Sequence, residues 1–203
     1  MDFEAFRAGY HTMSFAQLVA WYARVAVEFP DQSYWHTPSV MEFLHDTRPG
    51  TLVELGGWDG GLAASVLPHS DLPHAWANCD LVRVEPHLCD DPRYTWRMLT
   101  DWWWQTPVAA DAFVASHVIE HLSADHFTSL VSALTRVGYR AAYVSAPLKE
   151  LDATDWTGST TTHVLGWSMS DVDGLFTDRG WRRVGTNHHQ VHGVDTIARW
   201  YIR

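Results

Sequence analysis

The sequence carries little positive charge and little cysteine. Its 203 residues have a formal net charge of −10, and Lys149 is the only lysine. A protein that binds the phosphate backbone of a nucleic acid needs clustered Lys and Arg, so the charge argues against a nucleic-acid partner. Cys79 and Cys89 are the only cysteines. They flank a predicted strand, and the chain between them would span about 30 Å, which is too far for a disulfide.

Long apolar runs and targeting signals are also missing. No apolar run approaches the length that crosses a membrane. The first ten residues, MDFEAFRAGY, contain neither the basic nor the apolar region of a signal peptide. Two free thiols indicate a reducing compartment. We therefore expect a cytoplasmic protein without a membrane partner, folded as one compact unit whose core needs no disulfides.

Two helices are predicted before Pro49. The segment SFAQLVAWYARVAVEFP has apolar residues at helical spacing, and Ser14 and Gln17 have the spacing of a capping box. Pro30 is expected to end this helix. The segment SVMEFLHDT repeats the capping pattern with Ser39 and Glu42, so a second, short helix is predicted there.

After Pro49 the pattern changes to strands that alternate with helices. A helix is predicted from Ser123 to Gly138, and a shorter one over SDVDGLFTDRG. The predicted strands are 51–55, 81–85, 94–99, 111–116 and 140–145, followed by WRRVG and TIARWYIR. This alternation indicates an α/β fold with a doubly wound, mostly parallel seven-stranded sheet and helices on both faces. The last two strands have no helix between them, so an antiparallel C-terminal pair is expected.

The loop after the first strand is the place to look for a ligand. In doubly wound sheets, ligands bind beyond the carboxyl ends of the strands. Here the first strand is followed by ELGGWDGG, which runs from Glu54 to Gly61. No frame of this loop supplies the G-x-G-x-x-G fingerprint, which argues against an NAD or FAD enzyme.

This loop resembles motif I of the Rossmann-like (class I) S-adenosylmethionine-dependent methyltransferases, commonly E/D-x-G-x-G-x-G. Glu54, Gly56 and Gly60 match the acid and the first and third glycines, while Trp58 replaces the second glycine. Gly57 supplies some of the lost backbone freedom. The segments LVRVEPH, MLTDWWW, ADAFVASHVIEHL and HVLGWSMSDVDGLFTDRGWRRV resemble later motifs of the family in order and spacing. The resemblance covers roughly residues 51–203 and is to the small-molecule type.

The resemblance implies S-adenosyl-L-methionine as the cofactor and a set of residues that bind it. Glu85 would bind the ribose hydroxyls, Asp101 the adenine amino group, and Trp102 could stack on the adenine ring. The implied cofactor-binding residues are Glu54, Gly56, Gly57, Trp58, Gly60, Glu85, Pro86, Asp101, Trp102, Ser116 and His117. Residues 49–203 would be the catalytic domain, and residues 1–48 a helical cap over the substrate.

Three alternatives compete with the interpretation that we favour, and two of them depend on the sequence HVIEH, residues 117–121. Read as H-x-x-E-H it is the signature of a zinc hydrolase, which needs both histidines on one helix face. Metal-dependent methyltransferases of small-RNA ends carry a similar loop, and here His117, Glu120, His121 and a downstream His163 could form it. A cofactor-binding protein without catalysis is a further alternative.

The interpretation that we favour is methyl transfer without a metal to a small-molecule acceptor. A hydroxyl acceptor needs removal of a proton, and histidine titrates in the right range. His117, His121 and His163 are the candidate general bases. We therefore expect an S-adenosylmethionine-dependent O-methyltransferase.

Overall fold

The computed structural model describes residues 3–28, 36–147, 168–191 and 194–203. In these ranges the helices are α1 (Phe3–Gly9), α2 (Phe15–Glu28), α3 (Thr37–Thr47), α4 (Gly61–Val66), α5 (Ala124–Val137) and α6 (Met169–Thr177). Short 3-10 helices cover Tyr10–Thr12, Leu67–His69 and Ile119–His121. The strands are β1 (Thr51–Leu55), β2 (Ala75–Asp80), β3 (Tyr94–Met98), β4 (Ala112–Ser116), β5 (Ala141–Pro147), β6 (Arg182–Val191) and β7 (Val194–Ile202).

The strands form one seven-stranded sheet in the order β3-β2-β1-β4-β5-β7-β6. β1 to β5 are parallel to one another, and β7 runs antiparallel to both β5 and β6. This confirms the predicted α/β fold, including the antiparallel C-terminal pair. Strand order reverses between β1 and β4, so the carboxyl ends of these strands border the crevice where such sheets bind ligands.

The second strand was predicted in the wrong place. The sequence favoured residues 81–85 because LVRVE is rich in β-branched residues, but β2 is Ala75–Asp80, which pairs with β1 from Thr51 opposite Ala75. β2 contains no β-branched residue and is held instead by burial of Trp76, Asn78 and Cys79 between its neighbours. Tertiary packing here overrides β propensity. The acid that ends the second strand is therefore Asp80 rather than Glu85.

The helix ends that the structure describes follow the sequence signals closely, with one exception, while the predicted stop at Pro30 lies outside the described residues. At the start of α5 the Ser123 hydroxyl accepts from His126 N at 3.2 Å, and the helix ends at Gly138 with φ 93°, as predicted. α3, however, starts earlier than expected. Its N-cap is His36, whose Nδ1 accepts from Ser39 N at 3.2 Å, so the predicted cap residue Ser39 lies inside the helix.

Apolar residues cover both faces of the sheet. α5 and α6 pack on one face, and α3 and α4 pack on the other. α1 and α2 form a separate cluster, which we call the cap cluster; its buried members are Phe6, Tyr10, Leu18, Trp21 and Val25. α3 therefore belongs structurally to the sheet, although its residues fall before position 48. The division of the chain at that position stays a prediction. Within the described ranges, the helices are too short or too polar to span a membrane.

Candidate functional site

The glycine loop after β1 is fixed in place by β2. Three successive backbone N–H groups, from Gly56 to Trp58, donate hydrogen bonds to consecutive β2 residues. The acceptors are Cys79 O at 2.9 Å, Asn78 Oδ1 at 3.1 Å and Asp80 Oδ2 at 2.8 Å, respectively. The loop therefore presents one backbone conformation at the carboxyl ends of β1 and β2.

Close approach explains two of the glycines. A Cβ on Gly56, where φ is 70°, would lie 2.6 Å from Val118 Cγ2 in the loop after β4. A Cβ on Gly57 would lie 2.5 Å from the Glu54 carboxyl carbon. Trp58 has φ 50° without being glycine, which is a backbone conformation that a bulky side chain rarely adopts. The surrounding structure must hold it there.

Two carboxyl groups are buried beneath this loop. Glu54 is 2% exposed and accepts from Trp76 Nε1 at 2.9 Å. Burial raises the pKa of Glu54 to about 8, and the nearby Asp80 also acts to raise it. Asp80 is 6% exposed, and burial raises its pKa to about 6 although the N–H groups of Trp58 and Leu81 lower it. At neutral pH the Asp80 carboxyl group is therefore ionised while Glu54 keeps its proton, so one negative charge is buried at the loop.

A hydrogen-bonded chain connects the loop to the edge strand β3. Asn78 Nδ2 donates to Tyr94 Oη at 3.0 Å, and that oxygen lies 2.7 Å from His87 Nε2. The other end of the Asn78 amide holds Gly57 N. His87 also lies beneath Gly60, since a Cβ there would be 2.8 Å from its Nε2. The segment that joins β2 to β3 thus supports the glycine loop.

The cap cluster lies against the loops that follow the first three strands. Trp58, Leu81 and Trp102, one from each loop, pack on it. The rings of Phe15 and Trp102 are 5.6 Å apart at 71°. Tyr10 Oη is 3.1 Å from His126 Nδ1 at the start of α5. The helices α1 and α2 therefore lie against the end of the sheet where the glycine loop is found.

His117 follows β4 in a left-handed conformation with φ 55°. Its backbone N donates to Ser145 O at 3.0 Å, and the hydroxyls of Ser116 and Ser145 are 3.0 Å apart. Its Nδ1 lies 3.4 Å from Glu120 Oε1, and its Nε2 lies 3.4 Å from Thr196 Oγ1. The ring thus lies between the buried carboxyl group of Glu120 and the hydroxyl group of Thr196 on β7.

Comparison with known proteins shows which folds this chain is similar to. No family model matches the sequence, and the curated proteins give no match. Solved structures do match. The fold is that of the Rossmann-like methyltransferases.

Three matching structures illustrate this likeness, each with a TM-score of 0.61. The methyltransferase domain of bacterial CtHen1 is 16% identical, and the match covers 82% of this chain and 97% of that chain. The N-methyltransferase NodS from Bradyrhizobium japonicum WM9 is 15% identical, with 83% and 93% covered. Magnesium protoporphyrin IX methyltransferase (ChlM) from Synechocystis PCC 6803, with bound SAH, is 16% identical, with 94% and 88% covered. At these identities the likeness is one of fold.

Within the methyltransferase fold, Glu85 lies away from the end of β2. Its side chain is 65% exposed, pairs with Arg83 Nε at 2.8 Å and accepts from His87 N at 3.0 Å. Pro86 follows it in the same loop. Asp80, which sequence reasoning missed, is the buried acid at the strand end. The signal in the sequence was the acid that lies 26 residues after Glu54, at the end of the segment AWANCD, which forms β2.

Asp101 and Trp102 follow β3 as predicted. Asp101 Oδ1 accepts from Trp102 N at 2.7 Å. The Trp102 ring stacks on Trp104, with centroids 4.9 Å apart at 15°, and lies 4.3 Å from the His126 ring. Trp103 instead points into the core at 1% exposure. Trp102 thus packs on the cap cluster, whereas Trp103 and Trp104 pack on the core of the sheet.

The HVIEH segment does not form the helix that a zinc hydrolase signature needs. Residues Ile119–His121 form a single 3-10 turn, and the His121 ring faces Tyr22 of α2, with centroids 6.0 Å apart at 86°. His117 approaches Glu120 instead. Among the residues described, no group of three or more His, Cys, Asp or Glu side chains could hold a metal ion. His163, the third candidate base, lies outside the described residues.

Proposed function

We propose that this protein transfers a methyl group from S-adenosyl-L-methionine to a hydroxyl of a small-molecule acceptor. The observation that carries the proposal is the glycine loop, whose three N–H groups are bonded to the end of β2 above the buried carboxyl groups of Glu54 and Asp80. The solved methyltransferases support it through their fold, and one of them contains bound SAH.

The residues at the loop fit the cofactor chemically. Each carboxylate oxygen can accept about two hydrogen bonds, and in Asp80 one oxygen accepts from Trp58 N and the other from Leu81 N. Val82 N also bonds to this carboxylate, which leaves capacity for about one further donor. We assign Asp80 a bond to a ribose hydroxyl, the role that the sequence suggested for Glu85. The Asp80 carboxylate, which is the ionised member of the buried pair at neutral pH, suits a sulfonium cation. Trp58 and Trp102 would form the aromatic walls.

The bound cofactor would supply an electrophilic methyl group on sulfonium sulfur. The chain must align the acceptor with it and take up one proton. His117 is the best-placed candidate for the proton, because it follows β4 next to the glycine loop and its ring is held from two sides by Glu120 and Thr196. His121 and His163 stay in the proposal as alternatives.

The acceptor and the compartment are further parts of the proposal. A net charge of −10 disfavours RNA as the acceptor, so a small molecule is preferred. Cys79 and Cys89 are free thiols, which supports a cytoplasmic location.

The test has two stages. Titration calorimetry should first detect binding of S-adenosylmethionine and S-adenosylhomocysteine, with NAD as the control ligand that the loop is expected to refuse. The protein is then incubated with methyl-labelled cofactor and a panel of hydroxyl and amine acceptors, and labelled products are identified by mass spectrometry. Absence of binding to both sulfur ligands would refute the cofactor assignment, and labelling of amines alone would refute O-methylation.

A further inference from the structure

Two histidines stack where α3 meets the edge strand β6. The rings of His36 and His189 have centroids 3.8 Å apart and planes inclined by only 13°. His36 is the N-cap of α3, and β6 is the last strand of the sheet. Two neutral imidazole rings tolerate this close contact, but two imidazolium ions at this distance repel each other.

The hydrogen bonds of His36 require it to be unprotonated at Nδ1. That nitrogen accepts from Ser39 N at 3.2 Å, which satisfies one of the free N–H groups of the first turn. A proton on Nδ1 would replace this acceptor with a donor and break the cap. Ser39 itself is buried and bonded to Tyr143 Oη at 2.6 Å, so the N–H cannot easily turn elsewhere.

The surroundings of His189 also oppose a positive charge. Its Nδ1 is buried and makes no hydrogen bond within the described part of the chain. Burial lowers the pKa of His189 to about 4, and His36, His117 and His188 contribute in the same direction. Burial likewise lowers the pKa of His36, while Glu42 of α3 opposes this. On β7, Asp195 is bonded to Gln190, one residue beyond His189.

We propose that the His36–His189 stack is a proton-sensitive joint, which holds the first turn of α3 on β6 near neutral pH and releases it in mild acid. The first turn is where the chain coming from the cap helices joins the sheet, so the joint controls how firmly that connection is held. The rest of α3 stays in place, because Val40, Phe43 and Leu44 are buried against the sheet. The device does not depend on the cofactor.

The direction of the pH dependence follows from the two lowered pKa values. Between the ordinary histidine pKa of 6.5 and the lower folded values, the unfolded first turn binds more protons than the folded one. The stabilisation of the first turn of α3 by the two neutral histidines is therefore fully present above pH 6.5. It is lost as the pH falls from 6.5 towards the folded pKa values.

Two variants and one control test the joint. His36→Ser keeps an N-cap acceptor for Ser39 N but removes the stack, and His189→Gln removes the other ring. His45→Gln is the matched control, because His45 lies on the same helix with its side chain 83% exposed. Hydrogen exchange of the first turn of α3 is measured at about pH 7.5 and about pH 5, below the ordinary histidine pKa, and corrected for intrinsic exchange rates.

In the unaltered chain and in His45→Gln, protection of the first turn should fall about five-fold at the lower pH, the factor expected for loss of one N-cap. In His36→Ser it should stay constant. NMR titration should show the pKa of His189 rising in His36→Ser, and the pKa of His36 rising in His189→Gln. Constant protection in the unaltered chain, or an equal fall in His36→Ser, would overturn the joint, as would an unmoved His189 titration.

Discussion

Asp80 gives the sharpest test of the cofactor site. Replacing it by Asn keeps the size and one oxygen acceptor, but removes the charge and sets an NH₂ group against the N–H of either Trp58 or Leu81. If the carboxylate also binds a ribose hydroxyl, the variant loses a charge-assisted hydrogen bond, which contributes about 1.5–3 kcal/mol. S-adenosylmethionine affinity should then fall by about 10- to 150-fold, at 1.4 kcal/mol per factor of ten.

Glu85→Gln is the control for this measurement. Glu85 is largely exposed and bonded to Arg83 and His87 N, so its neutralisation should change affinity by less than about two-fold, as is usual for exposed ion pairs. Calorimetry gives both affinities, and thermal unfolding shows whether Asp80→Asn disturbs the loop. Unchanged affinity in Asp80→Asn together with a 10-fold or larger loss in Glu85→Gln, about 1.4 kcal/mol, would refute the reassignment and restore Glu85 as the ribose ligand.

Three further predictions concern the same site. Trp58→Gly relieves a left-handed residue, worth about 1–2 kcal/mol, but removes a partly buried indole that packs on the cap cluster. A fully buried indole is worth about 3–5 kcal/mol, and we expect the lost packing to exceed the relief, so stability and cofactor affinity should both fall in thermal unfolding and calorimetry. Tighter binding would mean that the indole obstructs the loop. Because burial raises the pKa of Glu54 from 4.5 to about 8, its contribution to stability is lost as the pH rises through that range. Urea unfolding should therefore show that the free energy of unfolding of the unaltered chain falls by on the order of 3 kcal/mol relative to that of Glu54→Gln between these pH values. If the free energies of both proteins changed with pH in parallel, this would contradict a buried neutral carboxyl group. At least one of His117→Ala, His121→Ala and His163→Ala should lower turnover by about 100-fold, and elemental analysis that found one zinc per chain would contradict a metal-free reaction.

Local signals in the sequence predicted much of the fold. Ser123 and Gly138 bound α5 as expected, because caps act within one helical turn. The apolar residues of β1 and β4 predict these two buried strands, which are followed by the glycine loop and by the loop of His117, respectively. β2 was missed because AWANCD contains no β-branched residue, and only its pairing between β1 and β3 makes it a strand.

The site was predictable only where its residues are close in sequence. The glycine loop was found because acid and glycines lie within seven residues of one another. The bond from Trp58 N to Asp80 joins residues 22 apart, and the stack of His36 on His189 joins opposite ends of the chain. Pairs of this kind depend on strand order, which a single sequence does not specify locally.

The packing of the cap cluster has a consequence for how the chain folds during synthesis. α1 and α2 are made first, yet their packing partners Trp58, Leu81 and Trp102 follow much later, and Tyr10 meets His126 across 116 positions. The ribosome releases the chain from its N-terminus, at about 5–20 residues per second. α2 can pack on Phe6 and Tyr10 at once, but the side that meets the later residues lacks those partners for several seconds. During that interval this side is a surface that chaperones can bind, and the packing of the cap cluster is completed only after the start of α5 has been synthesised.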